Sequence, residues 1–470
     1  MKIFLGNAPW EKDGFYGVRA GSRWPHFEKN GHRYMPFPFF LAYAASLLEK
    51  NGFEVLLVDG IAEKLTNEQF VNKVKDFCPD IVVLEASTVS LYVDLEIARI
   101  FRNKLDNIKI VLCGLHYDMY NKDFLRKHDY IDFVLKGEYE YALLGLSESL
   151  RDKRSIQNIK GIVYKNDSNE VCETDFEIKV DNLDLFPWPA RHFLPKDGYE
   201  DLPGILPEPT AQMWASRGCP YGCVFCAWTQ IMYGGNKYRY RSPIDVVDEI
   251  EHLVKKDNYR SVYFDDDTFG MNRNQVLSIC EQMYKRGLIV PWAMMTRIDY
   301  MDETLLKAMQ KVGLKAIKYG VESGNQGLIN NTGKKIDLTK VEAITKLTKK
   351  LGIKVHLTFM IGLPGENKKT IKETTKFLLK LDPDSAQISI ATPFPGSRYY
   401  DMLNKKGYIL DYDLANYNGS DNAVIRTEAL SREDLNRSFN RMQNKWRNHL
   451  RARRIKNKLL AIFSKPFANV

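Results

Sequence analysis

The chain opens on a regular alternation of apolar runs and helically spaced segments. Lys2–Asn7 is a short apolar run, Phe37–Asn51 has helical spacing and stops at Gly52, and Glu54–Val58 is apolar again. A helix over Asn67–Phe77, a strand over Asp80–Ala86, a helix over Val93–Asn103, a strand over Lys109–Cys113, a helix over Lys122–Lys127 and a strand over Asp132–Leu135 continue the pattern. Continuous apolar strands between amphipathic helices predict a parallel sheet covered on both faces. The expectation is an α/β, Rossmann-like (flavodoxin-type) domain over residues 1–150, with ligands at the carboxyl ends of its strands. A closing helix is predicted over Leu144–Asn158. The Asp-, Asn- and Pro-rich stretch 151–207, with Phe186-Pro187-Trp188-Pro189, reads as a linker.

A second alternation begins at Gln212. Strands are expected near Met213–Ser216, Ser261–Phe264, Val290–Met295, Ala316–Val321, Lys354–Met360 and Ser385–Ile390. Helices over Pro243–Lys256, Arg273–Arg286, Asp302–Lys311, Asp337–Leu351 and Lys368–Leu381 separate them. Six β/α units predict a partial (β/α)6 TIM-type barrel over 208–400 rather than a full eight-unit one, followed by a helical C-terminal region with a basic tail over 401–470.

With 470 residues, 44% hydrophobic and 27% charged, the composition is that of a soluble globular protein of several structural units. The best apolar run, Met35–Leu48, is interrupted by two prolines and is too short to span a bilayer. The first residues lack the apolar core of a signal peptide, so the chain is expected in the cytosol. The net charge of +9 is confined to one place: Leu435–Val470 has ten Lys or Arg and no Asp or Glu, while the remainder has 58 basic and 59 acidic residues. Asn436–Ile462 is amphipathic in part, with Phe439, Met442, Trp446, Leu450, Leu459 and Ile462 among the basic residues. It can lie peripherally on the anionic inner surface of a membrane, or cover the barrel's open side as a helix with a solvated basic face. A charge cluster alone gives no nucleic-acid readout, and no nucleic-acid partner is expected.

Seven cysteines, an odd number with three crowded at 219, 223 and 226, argue against a disulfide framework and for metal chemistry in a reducing compartment. Cys78, Cys113, Cys172 and Cys280 stand alone in apolar or strand-like surroundings and read as small buried hydrophobes. The segment Ser216-Arg217-Gly218-Cys219-Pro220-Tyr221-Gly222-Cys223-Val224-Phe225-Cys226 has C-x3-C-x2-C spacing. Three thiolates in one loop can hold three irons of a four-iron cluster and leave the fourth open. A zinc knot is the alternative, but it wants four closed ligands, and no further His or Cys stands close in sequence. Later strands end on Asp265-Asp266-Asp267-Thr268, on Arg297, on Gly320-Val321-Glu322-Ser323-Gly324, on Ile361-Gly362-Leu363-Pro364-Gly365-Glu366 and on Thr392-Pro393-Phe394-Pro395-Gly396-Ser397. A carboxylate is a sensible acceptor for an ammonium; the alternatives are an N-cap cluster for the aspartates and a structural salt bridge for Arg297.

In this order, these motifs resemble the radical S-adenosylmethionine superfamily, and more closely its cobalamin-binding branch, over roughly residues 1–400. The resemblance implies a 4Fe-4S cluster on Cys219, Cys223 and Cys226. S-adenosylmethionine would chelate the open iron through its amino and carboxylate groups and be cleaved reductively to a 5′-deoxyadenosyl radical. It further implies Phe225 near the adenine, Asp266 and Asp267 at the methionyl amino group, Arg297 at its carboxylate, Glu322 with Ser323 at the ribose, and Gly362 in a turn near the adenine. In the first domain it points to Ser87 and Thr88, to Gly114 and His116, and to Gly137 and Glu138 as cobalamin-binding loops. The chain departs from the branch's G-G-x-H and G-E-G-E patterns at Cys113 and Tyr139. The D-x-H-x-x-G motif is absent, so no histidine ligand to cobalt is expected from it, and His116 reads as a hydrogen-bonding loop residue.

The activity implied is methylation of an unactivated carbon or phosphorus centre, consuming two S-adenosylmethionine molecules per turnover. Oxidative cyclisation or ring rearrangement of a tetrapyrrole or lipid-like substrate is the alternative within the branch. A methylthiotransferase is disfavoured, because the N-terminal set of three cluster cysteines is absent and no RNA-binding β domain is evident. A non-enzymatic cobalamin sensor leaves the cysteine loop unexplained. The expected partners are a small-molecule or lipid-like substrate and a reductant such as flavodoxin or ferredoxin. No residue acting on the substrate itself is assigned.

Overall fold

The computed structural model describes residues 1–12, 14–18, 26–27, 35–166, 168–176, 180–202 and 204–463. The first sheet is built from β1 (Lys2–Asn7), β2 (Glu54–Asp59), β3 (Ile81–Ser87), β4 (Lys109–Leu115) and β5 (Phe133–Leu135), in the parallel order β2-β1-β3-β4-β5. This is the flavodoxin-type order, whose switch point lies between β1 and β3. Buried residues run unbroken along β3, because helices α1 (Phe39–Lys50), α2 (Asn67–Phe77), α3 (Leu91–Lys104), α4 (Lys122–Lys127) and α5 (Glu140–Arg151) leave neither face to water. α2 starts where Thr66 and Gln69 satisfy each other's end groups in a capping box.

Two expectations need correction here. The predicted linker 151–207 supplies β6 (Ile162–Lys165) and β7 (Val171–Glu173), which add to β5 in antiparallel fashion and make the sheet seven-stranded. The closing helix lies at Glu140–Arg151, earlier than the predicted Leu144–Asn158.

The second sheet has six parallel strands in sequence order: β8 (Thr210–Met213), β9 (Ser261–Phe264), β10 (Trp292–Thr296), β11 (Leu314–Glu322), β12 (Lys354–Ile361) and β13 (Ser385–Ile390). Helices α6 (Pro243–Lys255), α7 (Arg273–Lys285), α8 (Glu303–Lys311), α9 (Gln326–Asn331), α10 (Leu338–Lys350) and α11 (Lys368–Leu381) connect them. Alternation along the strands sorts the two faces. Ile317 and Tyr319 belong to the main core, and the Tyr319 hydroxyl meets Thr348 of α10 at 3.2 Å. Their neighbours Ala316 and Lys318 therefore point the other way. There Tyr263, Ala293 and Ala316 pack with Leu202 and Leu206 in a separate small core, and Lys318 pairs with Asp201 at 2.7 Å. The segment just before β8 thus stoppers the sheet's inner face.

After α12 (Arg398–Lys405), the C-terminal region ends in one long helix, α13 (Arg432–Phe463). Leu435, Phe439, Met442 and Trp446 are buried, in a helix that runs against α11, β12 and β13. Arg453 binds Asp382 and the carbonyls of Pro383 and Asp384. Beyond it Arg454–Leu459 is exposed. No helix among the described residues is long and apolar enough to cross a membrane.

Candidate functional site

One cavity opens at the carboxyl ends of the second sheet. Cys219, Cys223, Cys226 and Phe225 form one wall. Asp267, Arg297, Glu322 and Lys334 supply charge, Met360, Ile390 and Phe394 supply apolar surface, and Leu115 reaches in from the first domain.

The cysteine loop is held by its backbone. Gly218 has φ +86°, and a Cβ there would lie 2.0 Å from the Lys237 carbonyl, so only glycine lets the chain turn from Arg217 into the loop. The Gly218 amide donates to Asp267 Oδ2 at 2.8 Å. Gln230 donates to the carbonyls of Cys223, Val224 and Cys226 at 3.2, 3.2 and 2.7 Å. The Val224 amide donates to Thr332 at 2.9 Å. The Thr268 hydroxyl lies 3.7 Å from the Cys219 sulfur.

Burial raises the pKa of all three thiols, that of Cys223 to about 12, against the lowering effect of Lys334 and Arg297. Thiolates in this setting need a cation at the sulfurs, which iron supplies. Among the described residues no three His, Cys, Asp or Glu side chains form a site for a metal ion. A four-iron cluster asks for no convergence on one ion, since each thiolate binds its own iron. The donor set fits a cluster.

In the same cavity, Glu322 sits at a register shift of β11 with φ +69°, a strained conformation for a non-glycine residue that is characteristic of functional positions. Its Oε1 accepts from Lys334 Nζ at 2.5 Å and its Oε2 from Thr358 at 3.3 Å. Arg297 is fixed by Asp299 through two bonds of 3.1 and 2.8 Å, donates to the Lys334 carbonyl at 2.8 Å, and stacks 3.5 Å over the Tyr221 ring. Arg297 is therefore salt-bridged and also part of the cavity lining.

Several expected site residues lie outside the lining of this cavity. Asp266 is fully buried and accepts from the Ser216 hydroxyl and, at 3.2 Å, from the Ala215 amide, so it braces the strand that leads into the loop. Ser323 bonds Thr374 and the Asn325 amide. Gly362, with φ +96°, donates to Glu366 at 2.5 Å, accepts from Tyr399, and faces Ile425 and Leu435. Glu138 pairs with Arg217 at 3.0 Å and Arg239 at 2.6 Å across the domain boundary. Lys334, Gln230 and Thr358 were not foreseen. Lys334 stands in a loop far from any expected strand end, and nothing local marks it.

The first-domain loops meet one another. Thr88 Oγ1 lies 3.2 Å from both the Leu115 carbonyl and His116 Nδ1. Ser87 bonds Ser90, which donates to Asp94 at 2.8 Å. Tyr120 donates to the Gly114 carbonyl at 2.9 Å and accepts from the Gly137 amide at 3.0 Å. A Cβ on Gly114 would strike the Ala86 carbonyl at 2.2 Å, so this glycine serves strand packing. Burial lowers the pKa of His116 to about 4 and keeps its ring neutral. Of the six first-domain positions expected to bind cobalamin, none lines the cysteine cavity; Leu115 between Gly114 and His116 does.

The family model described as the radical SAM superfamily matches residues 215–378, and the B12 binding domain matches residues 34–147. An uncharacterised methyltransferase of Pyrococcus horikoshii is 30% identical over 400 residues, covering 85% of each chain. The anaerobic magnesium-protoporphyrin IX monomethyl ester cyclase of Rubrivivax gelatinosus is 27% identical over 432 residues, 89% of this chain and 73% of the cyclase. The radical S-adenosylmethionine methyltransferase TsrM of Kitasatospora setae, solved with cobalamin and a [4Fe-4S] cluster, shares the fold with a TM-score of 0.66 at 16% identity, over 86% of this chain and 75% of that one.

Proposed function

The chain belongs to the radical S-adenosylmethionine superfamily and carries a B12 binding domain ahead of its radical domain, and from this premise we propose that it methylates an unactivated carbon or phosphorus centre. One observation carries the reading. Three thiols share a cavity with Asp267, Arg297, Glu322 and Lys334, and the first domain reaches that cavity through Leu115.

Cys219, Cys223 and Cys226 would hold the cluster. Asp267 would accept the methionyl ammonium, Arg297 would face the carboxylate in the orientation Asp299 imposes, and Glu322 would accept from the ribose hydroxyls, with Phe225 against the adenine. When bound, a reduced cluster supplies the electron that cleaves S-adenosylmethionine to methionine and a 5′-deoxyadenosyl radical, and cobalamin carries the methyl group. Cobalamin would sit at the carboxyl edge of the first sheet, beside Ser87, Thr88, Gly114, His116 and Gly137. Thr88 occupies Nδ1 of the neutral His116, which supports a loop-shaping role for that ring. We read the second sheet as a partial barrel, because its strand ends from Asp267 to Thr392 surround one cavity. A reductant such as flavodoxin or ferredoxin would deliver the electron.

The cyclase relative favours a second reading, ring formation or rearrangement on a tetrapyrrole or lipid-like substrate without net methyl transfer. Anaerobic reconstitution with iron, sulfide and cobalamin, using methyl-labelled S-adenosylmethionine, decides between them. Methylation predicts 5′-deoxyadenosine, S-adenosylhomocysteine and labelled product, all lost in Cys223→Ala; 5′-deoxyadenosine with an unlabelled product supports the cyclase reading, and the absence of all three refutes both. The exposed end of α13 supports peripheral membrane contact. Ile455 and Leu459, one turn apart and 61% and 49% exposed, stand among Arg451, Arg454, Lys456 and Lys458.

A further inference from the structure

Arg217 precedes the cysteine loop by one residue, yet its side chain turns away from the loop into the first domain. Its Nη1 donates to Glu140 Oε1 at 2.7 Å and to Glu138 Oε1 at 3.0 Å. Arg239, paired backbone to backbone with Arg217, donates to Glu138 Oε2 at 2.6 Å. None of the four side chains is more than 6% exposed. Four rings surround the Arg217 guanidinium: Phe40 and Tyr43 of α1, Phe186 of the intervening segment, and Trp214 at the end of β8, at 5.4, 4.7, 4.4 and 4.9 Å.

Glu138 stands in the turn that follows β5, at the carboxyl edge of the first sheet, and Glu140 opens α5 directly after it. That turn is tied to the Gly114 loop through Tyr120, and Tyr139 between the two glutamates donates to Glu85 of β3 at 3.0 Å. On the other side, Gly218 passes directly to Asp267 and so to the wall of the cysteine cavity. A continuous, largely buried path of hydrogen bonds and adjoining residues therefore joins the carboxyl edge of the first sheet to the cysteine loop. Two arginines and two glutamates balance in charge, and the rigid planar fork of arginine transmits orientation where a lysine would supply charge alone.

We propose that Arg217 is a positioning residue through which occupancy of the first domain by cobalamin and binding of S-adenosylmethionine at the cluster are coupled. The inference rests on the functional reading above. Coupling between two sites is reciprocal in binding free energy, so cobalamin that orders the Gly114 and Gly137 loops would tighten S-adenosylmethionine binding by the same factor that S-adenosylmethionine tightens cobalamin binding.

The test uses full-length, reconstituted protein and titrates the change that S-adenosylmethionine produces in the electron paramagnetic resonance signal of the reduced cluster, with and without hydroxocobalamin. In the unaltered chain, cobalamin should tighten binding at least about fivefold, the lower end of ordinary two-site coupling. Arg217→Lys should retain iron, sulfide and cobalamin while that ratio falls to one, and in Glu140→Gln, which removes one of the two carboxylates that hold the Arg217 fork, the ratio should fall part of the way. Should Arg217→Lys lose its cluster, Glu140→Gln decides, because it leaves Arg217 paired with Glu138. A ratio of one in the unaltered chain, or the unaltered ratio in Glu140→Gln, overturns the proposal. A chain that takes up no cobalamin, visible directly in its absorption spectrum, overturns the functional reading and this coupling with it.

Discussion

Replacing Glu366 by glutamine should stabilise the protein in a way that grows with pH. Glu366 is buried in the turn after β12, where Oε2 accepts from the Gly362 amide at 2.5 Å. Burial raises its pKa from 4.5 to about 8, against the lowering effect of the Gly362 and Leu363 amides. Between those two values the folded chain holds a proton that the unfolded chain has released, so stability falls as pH rises and levels off above about 8. At pH 7 the gap of about 2.5 units corresponds to roughly 3 kcal/mol. Glutamine keeps an oxygen for the Gly362 amide and has no charge to bury. Denaturant unfolding of the full chain at pH 5, 6, 7 and 8 should give similar stabilities for the two proteins near pH 5 and a lead of about 3 kcal/mol for Glu366→Gln at pH 7. The quantity to read is the pH dependence of the difference, in which effects common to both proteins cancel. A difference that stays flat from pH 5 to 8 would show that Glu366 ionises normally when folded.

The stopper offers a second test: Lys318→Met leaves Asp201 buried and unpaired and should cost about 3–5 kcal/mol, most of it recovered in the double variant Lys318→Met/Asp201→Leu. A double variant no more stable than the single one contradicts the pairing argument. Glu322→Gln removes the charge that Lys334 faces and should weaken S-adenosylmethionine binding about tenfold, or ~1.4 kcal/mol, with iron content unchanged; undiminished affinity takes Glu322 out of the site. Gly218→Ala forces a Cβ against the Lys237 carbonyl and should lower the iron and sulfide retained after reconstitution, so full retention argues against a rigid loop. The full chain should sediment with vesicles containing phosphatidylserine and be released by high salt; equal binding to neutral vesicles, or none to anionic ones, refutes a basic membrane contact.

Most strands of the two sheets were legible as short apolar runs between helically spaced segments, and the cysteine loop because its spacing is local. β6 and β7 were not legible: they are short, lie in a polar stretch, and pair at a sheet edge where only one face needs apolar residues. The choice between Asp266 and Asp267 also exceeded the sequence. Strand alternation ends at Phe264, and beyond it the turn sends Asp266 back to Ser216 and Asp267 to Gly218 and the cavity wall. The pairing of Glu138 exceeded the sequence for a related reason. Its partner Arg217 is 79 residues away, and a carboxylate at a strand end looks the same whether it meets a cofactor or another domain. Lys334 became visible only once Thr332 and Gly333 were seen to pack on the cysteine loop.

The stopper formed by Asp201, Leu202 and Leu206 has a consequence for biosynthesis. Lys318 is 117 residues further along the chain than Asp201, and at roughly 5–20 residues per second its synthesis lags by on the order of ten seconds. For that interval a carboxylate and two leucines wait outside the ribosome without the socket that will enclose them. The first domain can complete its sheet meanwhile, since β7 has already emerged. A protein cut at the apparent boundary near residue 208 would lack the stopper, and Lys318 would lose its pairing with Asp201. Separately expressed halves should therefore divide upstream of Tyr199, with the segment leading to β8 travelling with the domain it plugs.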